Sequence, residues 1–187
     1  MKKSERILFL IIDIVFGAAL VFLDQFTKRL ATIHLMDKEP YPVIDGVLVL
    51  QYLEGGNRGG AFGILNGQRS FFIVIGVVFL LFMLIALIRI PATKKYRLLR
   101  FFICLISAGA LGNLIDRVKT GSVVDFIYVI YINFPIFNVA DIYVTVSSFA
   151  LAILILFVYK EDDLNMKKAN DPKLNYHSSM IKDKSET

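Results

Sequence analysis

Four long apolar segments divide the chain. They lie at about residues 7–23, 71–90, 98–115 and 137–159. A helix of about 20 apolar residues crosses the hydrocarbon core of a bilayer, and the segments are close to that length. The second is the cleanest, because residues 71–88 contain no charged side chain. The pattern predicts an all-α polytopic membrane protein with four transmembrane helices.

Composition agrees with that pattern. The 187 residues are 56% hydrophobic with a mean hydropathy of +0.63, which is too apolar for an ordinary soluble domain. A chain of this length also favours one compact unit, so we expect residues 1–160 to form a single membrane-embedded domain. Residues 161–187 are polar and have almost nothing to bury, so a disordered cytoplasmic tail is expected there.

Lys and Arg predict the orientation. They are concentrated at the N-terminus, in the short connection between the second and third segments, and in the tail. Because cytoplasmic loops carry the excess of Lys and Arg, both termini are expected in the cytoplasm. The net charge of +5 follows from this topology and predicts no nucleic-acid partner. The first segment precedes Asp24-Gln25 and not a small-residue cleavage site, which predicts an uncleaved anchor.

The long first connection, about residues 40–66, is expected to lie outside the cytoplasm. Pro40 and Pro42 interrupt any helix there, and the following stretch to Leu53 is rich in Val, Leu and Ile with a turn-like Asp-Gly pair. These features predict a small extracytoplasmic β-sheet and loop element. Residues 126–134 are also rich in aromatic and β-branched side chains, which favours a second extended or interfacial segment.

Five glycines lie between residues 55 and 63. Glycine lets a backbone approach another chain closely, and a sheet edge can take up an extended peptide as an added strand. A flexible loop is the alternative. A phosphate-binding loop is disfavoured, because no Gly-Lys-Ser or Gly-Lys-Thr sequence follows.

Polar side chains cluster at the ends of the last two apolar segments. They are three carboxylates, Asp116, Asp125 and Asp141, and two amides, Asn113 and Asn138. A charge in such a place is expensive unless it is paired or used. Two of the acids follow an amide by three residues, so in a helix each amide would lie on the same face as its acid and could hydrogen-bond to it.

Two carboxylates held together with little water tend to share one proton. One then acts as a general base on water while the other, protonated, polarises a carbonyl, as in aspartic proteases. This chemistry needs no metal or thiol, and the chain is poorly supplied with both: His34 and His177 lie outside the apolar segments, and Cys104 is expected to be a buried inert thiol. Spacing alone does not choose two acids of the three.

Two further acids lie in or next to the first segment. Asp24 and Lys28 are four residues apart, so they can pair on one helix face where the helix leaves the bilayer. Asp13 lies within the segment, where we expect it to pair with a neighbouring helix or to reach toward the headgroups.

Five short motifs carry a family resemblance. The sequence resembles the bacterial lipoprotein signal peptidases, also called signal peptidase II, which have the same motifs in the same order. One departure is Gly60, where that family more often has Ala. The motifs are Asp24-Gln25-Phe26-Thr27-Lys28, Asn57-Arg58-Gly59-Gly60-Ala61-Phe62-Gly63, Gly112-Asn113 with Asp116-Arg117, Val123-Val124-Asp125-Phe126, and Phe137-Asn138 with Ala140-Asp141.

The resemblance implies a membrane-embedded aspartyl endopeptidase of the bacterial cytoplasmic membrane, without a cofactor or metal. It implies removal of signal peptides from diacylglyceryl-modified prolipoproteins, with cleavage just before the lipidated cysteine near the extracytoplasmic face. Membrane lipid is the other expected partner, and the enzyme is expected to be a monomer. The implied catalytic pair is Asp125 and Asp141. The residues expected to bind substrate or support the site are Asp24, Lys28, Asn57, Gly59, Asn113, Asp116, Arg117 and Asn138.

Two other functions stay open on the residues alone. Intramembrane carboxylates also mark ion pathways in transporters, although this chain is short, lacks internal repeats and gathers its acids toward one membrane face. A non-catalytic adaptor that binds lipidated peptides is the second alternative. Cleavage of a lipidated peptide by the purified protein would separate both from a peptidase.

Overall fold

The computed structural model describes residues 3–59 and 65–159. Within that part of the chain, four helices are long and apolar enough to cross a membrane, which confirms the predicted fold class. The predicted tail, residues 161–187, and Gly60 lie outside the described residues. The helices are α1 (Lys3–Leu35), α2 (Arg69–Arg89), α3 (Arg97–Lys119) and α4 (Val139–Ile153), and α4 continues into a π-helical turn (Leu154–Val158).

Helix α1 is much longer than the predicted segment 7–23. It ends at Leu35, just before Asp37, whose φ is +56°. The apolar run stops at Asp24, but residues 24–35 contain neither Pro nor Gly, so nothing in the backbone stops the helix. Asp24 and Lys28 are buried against other helices and are only 0% and 3% exposed. Hydropathy alone therefore ended the helix too early.

Helix α3 is the centre of the bundle. Its buried side chains occur along its whole length, from Leu99 to Asp116, and α1, α2 and α4 all pack against it. Two glycines allow the closest approaches: a Cβ at Gly109 would collide with the Ala140 carbonyl of α4, and a Cβ at Gly112 would collide with the Asp24 carboxylate of α1. The predicted segment 98–115 was too short at its end, because α3 continues through Asp116 and Arg117 to Lys119.

A three-stranded antiparallel sheet lies at one end of the bundle, here called the sheet end. Its order is β1 (Tyr41–Ile44), β2 (Leu48–Leu50) and β3 (Ile127–Val129). A hairpin turn at Gly46, φ +71°, joins β1 to β2. Strand β3 comes from the aromatic stretch between α3 and α4, so the two extended segments predicted from the sequence pair with each other.

Pairing continues past the end of β2. The Leu53 N–H donates to the Asp125 carbonyl at 3.0 Å, and Asn57 and Val123 exchange two backbone hydrogen bonds of 2.8 and 2.9 Å. The glycine-rich loop and the segment that carries Asp125 are thereby fixed to each other.

The opposite end of the bundle is joined by Arg100 of α3. Its guanidinium contacts the Asp13 carboxylate of α1 and donates at 2.9 Å to the carbonyls of Leu87 and Ile90, at the end of α2. Of the two expectations for Asp13, the structure has the pairing with a neighbouring helix.

Candidate active site

Asp125 is one of the most deeply buried acids of the described chain. It lies between α3 and β3 and is 1% exposed. Asn57 Nδ2 donates to its Oδ2 at 2.9 Å, and Asn138 Nδ2 donates to its Oδ1 at 2.6 Å. Both oxygens therefore accept an amide N–H, and each keeps lone-pair capacity for another partner.

Asp141 is in the first turn of α4. Asn138 is the N-cap residue: its Oδ1 accepts the Asp141 N–H at 3.0 Å, while Asp141 Oδ2 accepts the Asn138 N–H at 3.1 Å. This reciprocal pair is a capping box, which fixes both side chains at the helix N-terminus, where a carboxylate is also favoured by the helix dipole. The other oxygen of Asp141 accepts Asn113 Nδ2 at 2.8 Å.

Asn113 pairs with an acid on another helix, contrary to the expectation. It does not bond to Asp116 on its own helix but donates across to Asp141 of α4. The Asn138 amide donates to Asp125, which lies between α3 and β3, and its oxygen accepts the Asp141 N–H within the capping box. The reason is that Asp116 is already occupied by partners on α1.

Those partners form a buried charged cluster behind the amides. Lys28 Nζ lies 2.9 Å from Asp24 Oδ2 and 2.9 Å from Asp116 Oδ2. Gln25 Nε2 donates to Asp116 Oδ1 at 2.8 Å, and Asp24 Oδ1 accepts the Ala140 N–H at 3.0 Å. The predicted pairing of Asp24 with Lys28 is present, but as one part of a cluster that joins α1 to both α3 and the start of α4.

Arg117 points away from Asp116. A pairing of the two neighbours would require α3 to end there, whereas the helix continues to Lys119. The Arg117 guanidinium donates to the Gly59 carbonyl at 2.9 Å and lies 4.8 Å from the centre of the Phe72 ring. It thus ties the glycine-rich loop to α3 and α2.

Burial is the main cause of the shifted pKa of Asp125. It raises the pKa of this carboxyl, and the neighbouring Asp141 charge raises it further, to about 6. The hydrogen bonds from Asn57 and Asn138 and the charge of Lys28 act in the opposite direction. Asp125 therefore holds a proton more readily than an ordinary aspartate does.

A pocket of about 950 Å³ opens onto the two acids. Among the described residues, its acidic lining is Asp125, Asp141 and the exposed Glu54. Asn57 and Arg117 also line it. The other walls come mainly from the glycine-rich loop, the segment before α4 and one face of α4, with single residues from α3 and its neighbouring loops. The residues are Leu53, Gly55, Gly56, Arg58, Gly59, Asn66, Asn113, Val123, Phe134, Pro135, Ile136, Phe137, Ile142, Val144, Thr145 and Val146.

The structure brings the predicted site residues together, and three further contributors were not predicted to belong to the site. Gln25 is a second partner of Asp116, Gly112 makes room for Asp24, and the segment from Phe134 to Phe137 forms a pocket wall. Gln25 and Gly112 stand inside the motifs quoted above, so the signal was present. The wall segment had only its apolar composition, which fits a lipid-facing loop equally well.

Comparisons with known proteins show the family of the chain. A family model described as signal peptidase (SPase) II matches residues 16–157. The chain belongs to this family. Similar relatives are lipoprotein signal peptidases of Caldanaerobacter subterraneus subsp. tengcongensis, 46% identical over 77% of this chain and 95% of the relative, and of Streptococcus pyogenes serotype M5, 37% identical over 87% and 98%.

The fold is also similar to that of solved structures. One is described as a bacterial membrane enzyme determined at 2.3 Å resolution; it is 34% identical and covers 85% of this chain and 93% of its own, with a TM-score of 0.68. As a signal peptidase II, the chain is a bacterial membrane protease of lipoprotein processing, which removes signal peptides from prolipoproteins by the family's aspartyl mechanism. Family membership thus sets aside the transporter and the adaptor.

Proposed function

We propose that Asp125 and Asp141 are the catalytic dyad. The observation that carries this is that both carboxylates line one pocket, whereas Asp24 and Asp116 are engaged by Lys28. The substrate is a diacylglyceryl-modified prolipoprotein, cleaved just before its lipidated cysteine. No metal or cofactor takes part, because the two acids supply both the base and the acid.

Below the raised pKa of Asp125, about 6, the dyad shares one proton. The ionised carboxylate takes a proton from water as the water oxygen attacks the scissile carbonyl carbon, and the protonated one donates to the carbonyl oxygen. Collapse of the tetrahedral intermediate breaks the C–N bond: the departing nitrogen takes up a proton from one acid, and a hydroxyl of the intermediate returns its proton to the other carboxylate. Amide N–H donors on both acids hold them in place through these steps.

The glycine-rich loop receives the peptide. Its backbone lines the pocket beside Asp125, where an extended substrate can pair with main-chain groups. Asn57 and Gly59 lie on this wall, next to Arg117, and contact the peptide or its lipid. Ile142 and Val146 of α4 offer an apolar face to the acyl chains. Anchoring by lipid and signal helix then orients the scissile bond, which can offset several kcal/mol of barrier.

We also propose that the sheet end faces outward and that both termini are cytoplasmic, because Lys and Arg are concentrated at the other face. The enzyme, residues 1–160 as one domain, works as a monomer without nucleic acid.

The topology can be tested by cysteine labelling. Asp45 is exposed in the hairpin turn and Thr93 is exposed between α2 and α3. In a Cys104→Ser background, Asp45→Cys should react with an impermeant thiol reagent in intact cells and Thr93→Cys only after lysis. The reverse pattern would invert the topology.

The proposed reaction should show a characteristic pH profile. Purified enzyme in detergent, with chelator present, should cleave a synthetic diacylglyceryl peptide before the lipidated cysteine. Mass spectrometry of the products identifies the cleavage site. Since the pKa of Asp125 is raised to about 6, the free dyad keeps its shared proton below that pH and loses it above. The kcat/KM should therefore fall as pH rises through about 6, because it reports the pKa values of the free enzyme.

The matched control is the same peptide without the lipid, which should be cleaved much less because it lacks the anchor. A kcat/KM that instead rose through pH 6 to a plateau would mean that the fully ionised pair is the active form. Loss of cleavage in chelator, restored by Mg²⁺ or Ca²⁺, would replace the dyad by metal-assisted hydrolysis.

A further inference from the structure

The orientation of each site amide depends on what its oxygen accepts. A side-chain amide can be turned over with little change of shape, so its direction is determined by its hydrogen-bond partners. Asn57 Oδ1 accepts the backbone N–H of Gly59 at 3.0 Å, and Asn138 Oδ1 accepts that of Asp141 at 3.0 Å. A backbone N–H can only donate, so both amides must present their NH₂ groups to Asp125.

Asn113 is held differently. Its Oδ1 accepts a side-chain donor, Lys28 Nζ, at 2.8 Å, together with a longer contact of 3.2 Å from Asn138 Nδ2. We propose that Lys28 is a positioning residue of the dyad, whose ammonium fixes Asn113 in the one orientation that presents an N–H to Asp141. This inference rests on the proposed dyad and adds the residue that orients one of its acids.

The geometry of Lys28 supports this role. An ammonium group has three N–H donors, and three acceptors lie at 2.8–2.9 Å: Asp24 Oδ2, Asp116 Oδ2 and Asn113 Oδ1. The side chain is 3% exposed, so water has little access to replace it. With two carboxylates on one side, the third N–H is directed at Asn113.

Removal of the ammonium would free the amide. Asn113 Oδ1 would keep only the contact from Asn138, which also donates to Asp125. A turned Asn113 would place its oxygen against Asp141 Oδ1, where two acceptors repel, so the carboxylate would move away. A shift of about 1 Å in a catalytic group can lower the rate about a hundredfold.

The competing explanation is a purely structural ion pair between α1 and α3, and Arg100 provides the matched control. Arg100 is also buried and also joins α3 to an acid of α1, Asp13, at the opposite end of the bundle. Lys28→Met and Arg100→Met should both lower the yield of folded protein. Only Lys28→Met should lower kcat per folded enzyme, by about a hundredfold, with KM for the lipopeptide little changed.

A double-mutant cycle tests the route through Asn113. Asn113→Ala should show the same loss of kcat, and adding Lys28→Met to it should lower kcat little further, since coupled residues are not additive. Losses that multiply, or an Asn113→Ala variant with wild-type kcat, would overturn the proposal. If Lys28→Met does not fold, the double variant Lys28→Met with Asp116→Asn replaces it, because it removes one charge of each sign. Its kcat is then compared with that of Asp116→Asn alone.

Failure of the dyad is distinguishable from failure of this inference. If Asp125→Asn keeps wild-type activity, the dyad assignment is wrong whatever Lys28 does. If the dyad variants are inactive while Lys28→Met keeps the kcat of Arg100→Met, the dyad stands and Lys28 is only structural.

Discussion

Asp125→Asn and Asp141→Asn should each abolish nearly all cleavage. An amide keeps the shape of the carboxylate but cannot exchange a proton, and general acid–base catalysis is worth about a hundred- to ten-thousand-fold in rate. Because a dyad acts as a unit, the double variant should be little slower than either single one. The measurement is the initial rate of lipopeptide cleavage per folded enzyme.

Each of these changes also disturbs a hydrogen bond, so folding must be measured separately. Both oxygens of Asp125 accept an amide N–H, and Asn offers only one acceptor oxygen, so one donor of Asn57 or Asn138 would face an NH₂ group. A buried group left unpaired costs about 1–3 kcal/mol. Binding of a non-cleavable lipopeptide should persist in both variants, which separates lost chemistry from lost structure.

Two other acids are the controls. Asp13 lies at the opposite end of the bundle with Arg100, so Asp13→Asn should keep most activity per folded enzyme. Asp116→Asn weakens the cluster around Lys28 and should mainly lower the yield. If either dyad variant kept more than about a tenth of the wild-type rate, its loss of rate would be far smaller than expected. Asp116 would then be the next candidate.

The sequence was sufficient to predict the four spans, and it named the residues that the structure brings together in the candidate site. Length and apolar composition determine a spanning helix almost alone, and the acids and amides stand in motifs that can be recognised without coordinates. Even the pairing of Asp24 with Lys28 followed from helical spacing, because both residues lie on one helix.

Contacts between helices could not be derived in the same way. Asn113 was expected to hydrogen-bond to Asp116, its neighbour on one helix face. The packing of α1 instead brings Lys28 and Gln25 to that acid. Asn113 therefore donates to Asp141. Helical spacing says which residues share a face and nothing about which helix meets that face. The end of α1 was missed for a related reason, since polar residues that bury against α3 look in the sequence like the end of a span.

The closest approach of α3 to α4 gives the second large effect. A Cβ at Gly109 would collide with the Ala140 carbonyl and press on Val144 and Tyr143. A backbone carbonyl cannot turn aside as a side chain can, so Gly109→Ala must push away the first turn of α4, which carries Asp141. We expect overpacking to cost about 1–3 kcal/mol of stability and the displaced carboxylate to lower kcat about a hundredfold.

Gly17 of α1 is the matched control, because a Cβ there would meet no atom within 4 Å. Ala is better than Gly in a helix by about 1 kcal/mol, so Gly17→Ala should raise the melting temperature or leave it unchanged, with wild-type kcat. Thermal unfolding followed by circular dichroism, together with the cleavage assay, compares the two variants. The same chemical change should thus lower stability and kcat at Gly109 and lower neither at Gly17. If Gly109→Ala behaved like Gly17→Ala, the spacing of α3 and α4 would not be what holds Asp141 in the site, and the capping box with Asn138 would have to position it alone.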